Sequence, residues 1–130
     1  MNGKFVLVAS SAVMAVAGLG ATFAPAELLG TLGVAAPGAG VVVVQLLGAL
    51  YLGFAFVNWT AKENAIGGIY SRPISLGNLT HFAIGALALV KFEMAGPRHP
   101  LLLGAALVYV ALAVMFAALV FGLSPVSAKA

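Results

Sequence analysis

The chain has no cysteine, no aspartate and one tryptophan, and its six Lys and Arg and three Glu make up only 7% of 130 residues. Without cysteine there is no disulfide framework, no thiolate nucleophile and no Cys-ligated zinc or iron–sulfur centre. Without aspartate there is no Ser/His/Asp arrangement, and no two carboxylates share an apolar run. Soluble domains carry about a quarter charged residues, so this scarcity of charge excludes an ordinary aqueous fold. Six basic residues are also too sparse for the stripe that nucleic acid requires, so nucleic acid is not an expected partner. What the chain does contain is 63% hydrophobic residues and 16 Gly, with a mean hydropathy of +1.16. The expected solvent is a lipid bilayer.

A helix rises about 1.5 Å per residue and needs roughly twenty apolar residues to cross a hydrocarbon core about 30 Å thick. Four stretches reach that length: residues 5–24, 41–60, 73–94 and 100–122. Pro25 ends the first, since it can neither donate to the helical ladder nor leave its predecessor freely helical. The second starts after Pro37-Gly38-Ala39-Gly40 and ends where Lys62, Glu63 and Asn64 begin. Pro73 and Pro100 open the third and fourth, because the first helical turn has no use for the missing N–H, and His99 falls at the cap of the fourth. Gly96-Pro97 ends the third and Ser124-Pro125 follows the fourth. The chain is expected to be all-α, a single transmembrane domain over residues 1–130 folded as an antiparallel four-helix bundle.

Between spans one and two, Pro25 to Gly33 reads as a short interfacial helix, with Glu27 in its first turn where the macrodipole favours an anion. The run from Lys4 to Ala24-Pro25-Ala26 also has the outline of a secretory signal, although it is long for a signal's apolar region and proline fits badly beside the cleavage point. Leu46-Leu47-Gly48-Ala49 and Leu102-Leu103-Gly104-Ala105 echo each other, a similarity that common membrane residues generate by chance.

Lys and Arg near span ends favour the cytoplasm. Lys4, Lys62, Arg72 and Lys129 fall on one face and Lys91 and Arg98 on the other, which puts both termini and the 62–72 loop inside; the bias is modest enough to allow dual insertion. Trp59 and Tyr70 flank the inner loop, and Phe23 and Phe92 mark the opposite headgroup level.

Lipid tails are as apolar as leucine, so membrane helices associate through close packing and interhelical hydrogen bonds that small residues permit. Ser11, Ala15, Gly18 and Thr22 form such a face on span one, Ala49 and Gly53 on span two, and Gly104, Ala111 and Ala118 on span four. The seven-residue spacing on span four suits left-handed packing near +20°. These seams serve equally for contacts within the chain and for a second copy or partner subunit in a larger membrane complex.

Span three is the most polar, with Ser75, Asn78, His81, Gly85 and Ala88 along one side. An ionisable side chain within a span is by default a hypothesis about function. The plainer reading is that His81 stays neutral and hydrogen-bonds Asn78, Ser10, Ser11 or Gln45; the functional one is a polar path or ligand contact made by Ser75, Asn78, His81 and Gln45. Gln45 and Asn58, near the two ends of span two, can also reach headgroups or water, and Lys91 and Glu93 can snorkel at the end of span three. Asn58-Trp59-Thr60 and Asn78-Leu79-Thr80 match a glycosylation pattern but lie at a membrane edge and within a span. A haem held by two histidines needs facing imidazoles at similar depth, whereas His81 and His99 differ in depth by up to about 20 Å. Small proton-coupled exporters need a carboxylate buried in a span, and every glutamate here falls outside or at an edge. No catalytic residue, cofactor or metal ligand is expected.

Gln45-Leu46-Leu47-Gly48-Ala49-Leu50-Tyr51-Leu52-Gly53, with the following loop carrying Lys62 and Arg72, resembles the second span of small four-helix DoxX-like bacterial membrane proteins. Gln45 stands where that motif opens on a basic residue. The resemblance implies a fold class and a bacterial inner-membrane setting, and no activity. The leading expectation is therefore a non-enzymatic membrane protein, an accessory subunit or self-associating bundle in contact with lipid. The alternatives are a small transporter or channel built on the span-three stripe, and binding of a lipid, quinone or pigment between helices.

Overall fold

The computed structural model describes residues 2–35, 38–63 and 71–122. These form α1 (Gly3–Phe23), α2 (Pro25–Thr31), α3 (Ala39–Ala61), α4 (Ser71–Ala95) and α5 (Pro100–Val120), with no strand among the described residues. All but α2 are long and apolar enough to cross a membrane, so the chain is an all-helical membrane protein. Tyr70, Lys129, Pro37 and Ser124-Pro125 lie outside the described residues.

The helix ends have local causes. Asn2 begins α1 by accepting the Lys4 N–H on Oδ1 at 3.1 Å, the N-cap role of a short polar side chain. Pro25 separates α1 from α2 as expected, standing at the first position of the new helix. The short helix closes in a Schellman arrangement: Gly33, at φ 71°, donates to Gly30 O and Val34 donates to Leu29 O. Pro100 opens α5 behind His99, but the His99 side chain makes no capping hydrogen bond.

Four boundaries fall two residues from expectation: α1 starts at Gly3, α3 starts at Ala39 inside the stretch expected to precede it, and the other two are the start of α4 and the end of α5. Pro73 is the third residue of α4 rather than the first, and it fits there because the first four helical N–H groups have no partner within the helix. Gly122 lies just beyond α5, at φ 67°, where its left-handed backbone ends the helix after Val120.

The helices form two compact units, Leu7–Lys62 and Met1–Val6 with Glu63–Ala130. In the first, α1 and α3 run antiparallel: Ser10 meets Asn58, Ser11 meets Ala55 and Gly18 meets Leu52. The backbones come very close, since a Cβ added at Gly48 would stand 2.8 Å from Thr22 N and 3.0 Å from Gly18 O. Small residues on both helices are what permit that approach. In the second, α4 and α5 form another antiparallel pair, with Phe82 stacked on Phe116 at 5.9 Å between ring centroids and edge-on to Tyr109 at 5.1 Å. Phe82 and Phe116 are fully buried.

Candidate functional site

Polar groups inside a membrane protein need partners, because hydrocarbon offers none. In the α1–α3 hairpin they form a short chain. Asn58 Nδ2 donates to Ser10 Oγ at 3.0 Å, and Ser10 Oγ donates to Leu7 O at 3.0 Å. Ser11 Oγ crosses the same interface to Ala55 O at 2.8 Å. All three side chains are buried, so Asn58 is a core residue rather than a headgroup contact. Gln45 is exposed near the other end of α3 and its amide donates to Thr22 O at 3.4 Å.

The span-three stripe lies on α4. Asn78 is fully buried and turns one amide N–H back onto its own helix, to Ile74 O at 2.9 Å. Ser75 is half-buried. His81, also half-buried, places Nε2 3.1 Å from Tyr109 Oη on α5. Either group can be the donor, depending on the imidazole tautomer. The two rings stand 5.4 Å apart in a tilted arrangement. Tyr109 is a partner that spacing along α4 could not indicate; its signal in the sequence is the one phenol in an otherwise apolar span, where a hydroxyl within hydrocarbon needs an acceptor or donor. Gly85 completes the group: the Tyr109 ring lies over it so closely that a Cβ there would stand 2.5 Å from Cε1.

The small-residue positions divide into two sets. Ser11 and Gly18 are buried, with Gly18 against α3, and Ala15 is half-buried. Ala49, Gly53, Gly104 and Ala111 are exposed, Ala118 is half-buried, and a Cβ at Gly53 or Gly104 would meet nothing within 4 Å. The close approach on α3 is made by Gly48 instead, one position away from Ala49 and so about 100° around the helix.

At the helix ends, Lys62 Nζ lies 3.2 Å from the centre of the Trp59 ring, a cation–π contact on an exposed ring. Lys4 and Glu63 pair at 2.8 Å with both side chains largely exposed. Lys91 is exposed, as a snorkelling side chain should be, but Glu93 is not: it is buried, and its Oε1 accepts the His99 N–H at 3.4 Å. That contact holds a carboxylate at the N-terminus of α5, where the helix dipole stabilises it. No three of His, Asp and Glu converge on a metal-sized point among the described residues.

No family model matches the chain, and neither a curated protein nor a solved structure does.

Proposed function

We propose that the protein is a non-enzymatic membrane component that works by helix association, either with further copies of itself or as an accessory subunit of a larger complex. The supporting observation is the division of its small residues. Gly18, Gly48 and Gly85 are consumed in close contacts within the two hairpins, whereas Gly53 and Gly104 open onto space with alanines one or two turns away on the same faces. Association in hydrocarbon depends on such close-approach surfaces. The Lys and Arg bias and the DoxX-like second span support a bacterial inner-membrane setting with both termini in the cytoplasm. Native mass spectrometry after gentle extraction tests the reading: an assembly larger than one chain, reduced by Gly53→Leu or Gly104→Leu, is expected. A monomer under those conditions, or assembly indifferent to both substitutions, contradicts it.

A transport reading draws on one specific contact, the His81–Tyr109 pair within the α4–α5 hairpin. An imidazole and a phenol in hydrogen-bond contact can pass a proton. Proton flux into liposomes that falls with His81→Ala supports this reading, and flux indifferent to it removes its basis.

A further inference from the structure

We propose that the cleft between the end of α4 and the start of α5 binds a phospholipid whose headgroup carries a primary ammonium, with Glu93 taking the ammonium and Arg98 the phosphate. The cleft has a volume of about 640 Å³, and Glu93, Arg98 and Gly96 stand at one end of it. Its walls are Val90 and Met94 from α4 and Leu103, Leu107 and Val110 from α5. Residues 103, 107 and 110 follow one another at helical spacing, so they form a continuous apolar strip. Val110 lies about 15 Å along α5 from Pro100. The cleft therefore runs from a charged end at the level of the turn into a region lined only by hydrocarbon, which is the polarity profile of a lipid and not of a water-soluble metabolite.

The charged end selects among lipids. Glu93 is 7% exposed, and while Oε1 accepts the His99 N–H, Oε2 has no hydrogen-bond partner. A buried acceptor without a donor is costly, so a ligand that brings N–H groups gains more here than at the surface. Oε2 is closed off from solvent as it stands, but the terminal torsion of a glutamate is soft and lets either oxygen turn to the cleft that the residue lines. A primary ammonium supplies three donors. A choline headgroup has the same charge but no N–H, and a glycerol headgroup leaves a net anionic lipid beside a carboxylate. Arg98, exposed and lining the same cleft, matches the phosphate common to all three.

The experiment uses the full chain in nanodiscs of equal parts phosphatidylethanolamine, phosphatidylcholine and phosphatidylglycerol with identical acyl chains, and reads the lipids retained by native mass spectrometry. Phosphatidylethanolamine should be enriched roughly tenfold over phosphatidylcholine, the scale of one charge-assisted hydrogen bond. Glu93→Gln should abolish that preference, and Arg98→Gln should lower retention of all three lipids alike. Equal retention by the unmodified protein overturns the proposal, as does a preference for phosphatidylglycerol. A preference for phosphatidylethanolamine that survives Glu93→Gln overturns the assignment of Glu93. Because the comparison among lipids is made first on the unmodified chain, the test stands even if a variant fails to fold. Val90→Trp, which fills the apolar part of the cleft from α4, the helix that carries neither Gly53 nor Gly104, and leaves the charged end intact, should displace the lipid without altering the assembly state.

Discussion

The ring of Tyr109 lies directly against the backbone of Gly85, and its hydroxyl is 3.1 Å from His81 Nε2 one helical turn away. The two contacts depend on each other. Only a residue without a Cβ lets the ring reach deep enough over α4 for the hydroxyl to meet the imidazole. Gly85→Ala should therefore push the ring outward and destabilise the α4–α5 hairpin by about 1–3 kcal/mol, the usual cost of overpacking. Thermal unfolding in detergent measures it. The cost should shrink in a Tyr109→Leu background, since the side chain that collides with the new methyl is gone. Equal costs in both backgrounds would mean that the ring is not the obstacle.

Gly48 and Gly53 sit five residues apart on α3 and should respond oppositely to leucine. At Gly48 a side chain meets Thr22 N and Gly18 O, which are backbone atoms that cannot move aside. Gly48→Leu should separate α1 from α3 and lower the melting temperature sharply. At Gly53 nothing lies within 4 Å, so Gly53→Leu should leave the melting temperature of the monomer unchanged and act only on association. Measuring both variants by thermal melting and by native mass separates folding from assembly.

The helices were legible in the sequence because their ends are set by local chemistry: Pro25 and Pro100 act at fixed positions within one turn. Pro73 and Gly122 misplace a boundary by two residues for the same local reason, since proline is tolerated throughout a first turn and glycine caps a helix from outside it. Contacts across helices were less legible. Ala49 and Gly53 share a face by spacing, yet the face of α3 turned to α1 carries Gly48, Ala55 and Asn58, and a helix that is apolar all round gives no periodic sign of which side is inward. Glu93 was expected at the headgroups because its position along α4 puts it near the end. That its carboxylate meets the His99 N–H at the cap of α5 depends on the geometry of the 96–99 turn, which composition does not encode.

Asn58 and Ser10 offer a direct measure of how much a hydrogen bond between membrane helices contributes. Their bond, at 3.0 Å, lies where both side chains are fully buried. Such bonds average about 0.6 kcal/mol because the separated helices also find partners. A double-mutant cycle with Ser10→Ala and Asn58→Ala should give a coupling of that order. A value near zero would imply that the two groups are satisfied elsewhere as soon as either is removed.

Trp59 is the chain's one tryptophan, so its fluorescence reports a single place without ambiguity. It lies in the last turn of α3, exposed, with Lys62 Nζ over its ring. An indole prefers the headgroup level, where its body is among lipid and its N–H is near water, and a lysine beside it anchors the same depth. In vesicles, a quencher attached at the lipid headgroup should therefore reduce Trp59 emission more than one attached near the end of the acyl chain. Lys62→Met removes the cation without shortening the side chain by much, and should increase quenching by the deeper probe as the ring loses its anchor. Stronger quenching from the bilayer centre in the unmodified protein would place the end of α3 inside the hydrocarbon. The span would then have to shift along its axis, carrying the buried Asn58 and its Ser10 partner to a depth at which a broken hydrogen bond finds no water to replace it.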